Sequence, residues 1–417
     1  MSKKLIKIMA TSLVIAMSLT ACGVNKTETN MFNTKQDKLV KLRVWGAQED
    51  QDLLNYLVEE FKQEYSDEAT FEIIVEAQEE MECKNTILND IHQVADVFTF
   101  ADDQIMTLAA AGVLEPIAYE EEITANNLAA AVEAATLNGR IYAYPLTADN
   151  GYFMYYNKNY FTEEDVQTLD GMLKIAEENN KKIKMDWSAG WYLYSFFGNT
   201  GLTLGINEDG MTNYCTWNSV DKDIKGIDVA QAMRKIATSP AFMSTDDETF
   251  IKGAQEGKII AGISGAWSAV ALEEAWQDGY AAVKLPTYTV ADRQVQMASY
   301  AGYKMIGVNA YSEYSEWAEK LAAFLSNEQS QTARFKYRGQ GPSNINAANS
   351  EEVSNSVAIK ALIEQSKYAS VQRVGELYWD AASNLGQALA SGDLQGLTYQ
   401  GLLDQTVRRI TASLLTE

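Results

Sequence analysis

A single histidine and three cysteines, spread over 417 residues, exclude several kinds of chemistry at once. With only His92 and no cysteine cluster, a zinc site or a Ser/His/Asp triad has almost no material to use. The apolar spacing beside His92 predicts a helix on which it has a structural role. Beyond the N-terminus no stretch approaches about 18 consecutive apolar residues, so nothing else is expected to span a bilayer. A phosphate loop of the G-x-x-x-x-G-K-[ST] type is missing too, which leaves nucleotide-driven work to other chains. Positive charge is also scarce, with 34 Lys and Arg against 57 Asp and Glu and a net charge of −23. Such a surface argues against nucleic acid or anionic lipid as a partner. No internal repeat or low-complexity tract is present, and 47% hydrophobic residues suffice for a globular core in two or three ordinary domains.

What is present begins with an export leader. Lys3, Lys4 and Lys7 form a basic start, and Ile8 to Leu19 form an apolar run too short to span a membrane comfortably. Leu19-Thr20-Ala21-Cys22-Gly23 then resembles a bacterial lipobox, in which cleavage precedes the Cys and lipid is added to it. Residues 1–22 are thus expected to be a lipoprotein signal ending at Cys22, and the processed chain to be anchored through lipid on Cys22. Loss of three lysines and no acids changes the balance to 31 − 57 = −26. Residues 23–37 are polar and poor in aliphatics, and are expected to be a flexible tether of roughly 20 Å reach.

From Lys38 to Trp45 the chain alternates as a strand, and Asp50 to Tyr65 places Leu53, Leu54, Leu57, Val58 and Phe61 on one helical face. Ala69 to Glu76 reads as a strand, Glu82 to Gln93 as a helix with Ile87, Leu88 and Ile91 aligned, and Asp96 to Phe100 as a strand. Asp102 or Asp103 could cap a helix that Gly112 ends. Strand and helix units of this size predict a mainly parallel sheet covered on both faces, with ligands at the carboxyl ends of its strands. The last helix is expected to align Leu402, Leu403, Val407, Ile410 and Leu414. Between these regions, Arg140–Leu146 and Gly151–Tyr156 are extended runs separated by the turn-tolerant Thr147-Ala-Asp-Asn-Gly151, read as a hinge crossing between two lobes.

Several of these stretches resemble the extracellular solute-binding proteins of ABC importers, in the maltose and maltodextrin-binding group. The resemblance covers about residues 38–415. It rests on Asn138-Gly139-Arg140, Ala143-Tyr144-Pro145 and Tyr156-Asn157-Lys158 at the first crossing, on Val44-Trp45-Gly46, and on Asp96-Val97-Phe98-Thr99-Phe100-Ala101-Asp102. Its most specific part is Phe250 to Trp267, similar to the family's F-x-x-G-x-a-A-m…-G-x-W run, followed by Tyr280–Pro286 and Ser299–Asn309. It implies an α/β, two-lobed periplasmic-binding-protein-like fold of type II, with discontinuous lobes, a hinge and an interlobe cleft. Residues 38–147 plus 300–345 would form lobe one and 148–299 plus 346–417 lobe two, with crossings near 147–150, 297–300 and 343–348. Cys83 and Cys215 would then lie in different lobes as free, buried thiols, since a bridge would lock the hinge.

The implied activity is capture of a linear oligosaccharide without altering it, for delivery to ABC permease subunits in the membrane. The implied protein is a monomer that needs no metal or cofactor. A sugar offers C–H faces that stack on flat aromatics and hydroxyl edges that need planar polar partners. Trp267, Trp379, Trp191, Tyr192 and Phe100 match the family's stacking positions. Gln48, Glu49, Asp102, Asp149, Tyr303 and Gln340 are candidates for the hydroxyl edges, each with a bland alternative as a helix cap or a solvated polar group. The family's lysine after strand one is absent from Gln48-Glu49-Asp50, so the preferred sugar stays open among α-glucan, galacto- and arabinogalacto-type oligosaccharides. A polyamine ligand, a secreted glycosidase with two carboxylates about 5–10 Å apart, and a surface adhesin are the other readings.

Overall fold

Two five-stranded sheets organise the molecule, and each is completed by a strand that arrives from the other. In a computed structural model, residues 39–207, 209 and 211–413 are described; the leader, Cys22, the tether and Leu414 lie outside them. The described residues belong to one compact unit beginning at Leu39.

The first sheet has the order Thr70–Ala77, Leu39–Gly46, Val97–Ala101, Lys304–Val308, Tyr144–Thr147. Its first three strands are parallel, whereas Lys304–Val308 runs antiparallel to both neighbours. The second has the order Phe242–Met243, Lys182–Lys184, Ile259–Gly265, Tyr152–Asn157, Tyr280–Val283, and here Tyr152–Asn157 is the antiparallel one. The reversed strands share one cause. A chain that leaves one lobe at the carboxyl end of a strand enters the other at the same end, so its first strand there must run away from the cleft. The remaining carboxyl ends of both sheets then face one another.

Each sheet has its own core. Val40 to Leu146 together with Met305 to Leu325 fill one, including Phe61 with Trp317, Phe71 and Phe324 in edge contacts at 4.9–6.5 Å for the pairs involving Phe61 or Trp317. Tyr152 to Tyr300 and Tyr378 to Ile410 fill the other. Tyr300 packs in the second core and Lys304 opens a strand of the first, so the second crossing falls at Gly302 and Tyr303. Beside it runs the first crossing, tied to the segment after Gly339 by Ala148 N–H to the Gly341 carbonyl at 2.9 Å and by Thr147 opposite Pro342.

Three local expectations change. The helix of residues 82–93 spans only Cys83–Asn89 and ends where Asp90 becomes extended, which leaves Leu88 exposed and His92 off the helix, in contact with Tyr311 at 6.1 Å. Asp102 and Asp103 cap no helix with their side chains. Cys83 is free and buried, while the free Cys215 is only half-buried.

A buried ionic cluster joins lobe one to the crossings. Asp50, at the start of helix Gln51–Glu64, is paired with Arg334 and, at 2.9 Å, with Arg338, both from helix Glu328–Arg338. Burial opposes the charge on Asp50, but Arg334, Lys304 and Arg338 outweigh it and hold the carboxyl below its usual range. Lys304 reaches Glu80 at 2.5 Å. Its burial works against the ammonium, yet Glu80 and Asp50 keep its pKa above the ordinary lysine value. Because Asp50 and Arg334 are each 1% exposed, removal of one partner strands a charge away from water. Arg334→Met is expected to cost about 3–5 kcal/mol in urea unfolding, and adding Asp50→Leu should return part of that loss. A single-mutant cost below about 1 kcal/mol would contradict a buried pair, since that is the range of exposed ones.

Candidate functional site

The carboxyl ends of the two sheets carry unlike surfaces. Lobe two presents aromatic rings. Trp267 follows strand Ile259–Gly265 and Trp191 lies in helix Gly190–Phe197, and their ring centroids are 5.6 Å apart at 33°. Both are half-buried, as is Trp379 in helix Leu377–Ser391. Glycine permits this arrangement at two positions. A Cβ on Gly265 would meet the Trp267 ring at 2.0 Å, so the indole can fold back over the strand end only because that residue lacks a side chain. A Cβ on Gly190 would meet the Trp379 carbonyl oxygen at 2.8 Å, so the absent side chain lets the two helices carrying Trp191 and Trp379 abut. Tyr378 hydroxyl donates to the Gly190 carbonyl at 2.8 Å and closes the same joint.

The indoles of Trp267 and Trp191 are each held at the N–H. Trp267 Nε1 donates to Asp247 at 2.8 Å, and the other oxygen of Asp247 pairs with Lys184, whose side chain is wholly buried. Lys184 also donates to the Ile263 carbonyl at 3.2 Å and lies 5.4 Å from the ring centres of Tyr192 and Phe250. Trp191 Nε1 donates to Gln372 at 2.9 Å. With their polar edges committed, these rings have only π-faces to offer a ligand.

Lobe one presents acceptors. Asp102 Oδ1 accepts from Tyr303 N–H at 2.9 Å, whereas its Oδ2, Asp103 Oδ1 and Glu80 Oε1 are buried without a hydrogen-bond partner. Burial lifts the Asp102 carboxyl to about 6, against the pull of the Tyr303 N–H and Arg373. Asp103 rises to about 7 through burial and the neighbouring Asp102, although Lys84 and the Gln372 amide oppose the rise. Unpaired buried acceptors are costly and invite donors. A ligand with hydroxyl edges and apolar faces would satisfy this wall and cover that floor.

The predicted residues divide accordingly. Trp191 and Trp267 are brought together on the lobe-two side, Trp379 lies on the abutting helix against Tyr378 at 5.0 Å and Tyr300 at 6.4 Å, and Asp102 and half-buried Tyr303 lie side by side on the lobe-one side. Gln48 and Glu49 are exposed in the turn after Leu39–Gly46, where Gln48 N–H donates to Glu79 at 3.2 Å. Four placements need correction. Phe100 is a core residue, 0% exposed and 5.7 Å from Phe98, in a central strand whose residues 97–100 are buried on both faces. Tyr192 is buried behind Trp191 against Tyr152 at 4.9 Å. Asp149 Oδ2 accepts from Gly341 N–H at 2.6 Å and so straps two crossings together. Gln340 is buried and accepts from Arg334 at 3.1 Å. Sequence reasoning passed over Asp103, Glu80, Asp247 and Gln372. Asp103 alone had a signal, its place beside Asp102 at a strand end.

Two lobes joined by three crossings, with an aromatic floor facing an acidic wall, define a two-lobed binding protein of the periplasmic-binding-protein type. The sequence matches the bacterial extracellular solute-binding proteins over residues 56–361, and the chain belongs to that family. It is 25% identical to the galactooligosaccharide-binding protein of Bacillus subtilis over 91% of this chain and 90% of that one. It is 24% identical to the maltooligosaccharide ABC transporter solute-binding lipoprotein of Streptococcus pneumoniae, over 98% and 99% of the two chains. A solved structure with acarbose is 29% identical, with a TM-score of 0.81 over 89% of this chain and 98% of that one. The maltodextrin-binding protein of L. casei without ligand is 23% identical, with a TM-score of 0.73 over 90% and 99%, and supports the fold.

The raised carboxyls carry a pH signature. The unfolded value is about 3.9, so between about pH 4 and 7 the folded chain keeps protons on Asp102 and Asp103 that the unfolded chain has released. Stability from this pair therefore falls as pH rises through that window and levels off above it. Denaturant unfolding at about pH 5 and about pH 8 should show the decline, and Asp103→Asn should reduce it.

Proposed function

We propose that this chain is the substrate-binding lipoprotein of an ABC importer and that it captures a linear oligosaccharide, most simply an α-linked glucan fragment such as maltotriose, between its lobes. The observation that carries the reading is the Trp191–Trp267 pair, with both N–H edges tied back and both rings half-buried at the carboxyl end of the second sheet. Trp379 extends the floor, and Asp102, Asp103, Glu80 and Tyr303 meet the hydroxyls from lobe one. Gln48 and Glu49 stand at the outer end of that wall. The lobes themselves are taken as 38–147 plus 303–345 and 148–302 plus 346–417, with the expected boundary at 300 moved to the Gly302–Tyr303 crossing, and the anchor as lipid on Cys22 at the outer face of the cytoplasmic membrane of a Gram-positive type cell. The chain holds its ligand intact, in keeping with relatives named as binding proteins rather than enzymes. It needs no cofactor.

The names of its relatives favour an oligosaccharide over a polyamine and divide between two sugars. The maltooligosaccharide-binding relative aligns over the greater share of the chain, whereas the galactooligosaccharide-binding relative keeps a galacto-type oligosaccharide as the second reading. Isothermal calorimetry on the chain from Gly23, with maltotriose, a galactooligosaccharide and spermidine, separates these ligands. Trp267→Ala or Trp379→Ala should weaken the preferred sugar by about 1–3 kcal/mol with unchanged circular dichroism. A loss of less than a few tenths of a kcal/mol at both positions would return these rings to packing.

A further inference from the structure

Helix Cys83–Asn89 belongs to the lobe-one core through Cys83 and Ile87, and helix Leu377–Ser391 belongs to the lobe-two core through Tyr378 and Leu385. Nothing in the chain path obliges the two to meet, since Lys84 and Glu376 are 292 residues apart. They meet nevertheless: Lys84 Nζ pairs with Glu376, the residue preceding the second helix. Lys84 is well placed for this. Its backbone N–H is fixed by Gln104 Oε1 at 2.9 Å, and its side chain is only 16% exposed. The ammonium also acts on Asp103 in its own lobe.

The residues just before Glu376 make matching approaches. Gln372 is buried, donates its backbone N–H to the Ala301 carbonyl at 3.1 Å, and holds Trp191 Nε1 at 2.9 Å while its amide acts on Asp103. Arg373 supplies positive charge to Asp102. Gly375, between them, is pinned by its N–H to Asn213 at 2.6 Å, which fixes the segment to lobe two. One short lobe-two segment thus offers an amide, a cation and an anion to two acids and a cation of lobe one.

We propose that residues 372–376 are an electrostatic clasp that holds the lobes together across the cleft mouth, through Lys84–Glu376 with Arg373 facing Asp102 and Gln372 facing Asp103. The clasp biases the chain toward the closed form before any ligand arrives, and a ligand then has less of the closing to drive. It reports on the acids as well, because Gln372 touches both the Asp103 wall and the Trp191 floor. The inference does not rest on the identity of the sugar.

Charge exchange tests it without ligand. Lys84→Glu, Glu376→Lys and the double exchange are prepared in the chain from Gly23, each with a fluorescent pair across the cleft, and lobe separation is read at low salt. Each single variant should move the open-to-closed ratio toward open by about 1.5- to 5-fold, the range for a pair of this exposure. The double variant should return most of the way, and about 1 M salt should erase the differences. Glu376→Gln, at an exposed position, gives a milder step in the same direction and serves if a charge reversal perturbs folding. Singles with unchanged lobe separation, or a double variant showing only the sum of the two single effects, would overturn the clasp.

Discussion

The exchange of strands between the lobes is the constraint on which the rest of the structure depends. Tyr152–Asn157 enters lobe two from lobe one, and Lys304–Val308 makes the return. Each is hydrogen-bonded on both sides by strands of the receiving lobe, so neither lobe's sheet is complete without chain that has crossed over. The crossings must therefore run side by side at the carboxyl ends of both sheets. The cleft is the direct result, and any group placed at a strand end becomes part of its lining.

Around the crossings, polar groups divide by what they hold. Asp149 binds the Gly341 N–H, and Asp50, Arg334, Arg338 and Gln340 form a buried set behind it. Lys304 stands between this set and Glu80, and so connects the fixed ionic cluster to the acidic wall of the cleft. Toward the opening the pairing thins out: Asp102, Asp103 and Glu80 each keep one buried oxygen without a partner. Paired charges fix the frame around the crossings, and the wall acids are less completely paired.

Much of the fold was legible because it follows from local periodicity. The strand Leu39–Gly46 and the helix Gln51–Glu64, with Leu53, Leu54, Leu57, Val58 and Phe61 all buried, match the alternation and the 3.6-residue spacing. The run from Phe250 to Trp267 led to a helix, a strand and a half-exposed tryptophan. The errors occur where distant parts decide. Phe100 lies in a strand buried on both faces from Val97 to Phe100, flanked on one edge by Lys304–Val308, some two hundred residues later. Asp149 and Gln340 look like rim polar groups until Gly341 and Arg334 claim them. Gln372 had no local signal whatever, since its meaning comes from Trp191 on another helix. Trp191, Trp267 and Trp379 came from a resemblance to the family's stacking positions, and the structure leaves all three half-buried.

With aromatic rings on one lobe and acceptors on the other, a ligand can use both only when they come together. Small-angle scattering on the chain from Gly23, with and without saturating maltotriose, measures that most directly. A smaller radius of gyration with the sugar, and no change with spermidine, is the predicted result. An unchanged profile at full calorimetric occupancy, both in this chain and in the Lys84→Glu variant whose lobes are released from the Lys84–Glu376 pair, would mean that the ligand sits on one lobe alone, and would contradict capture by closure.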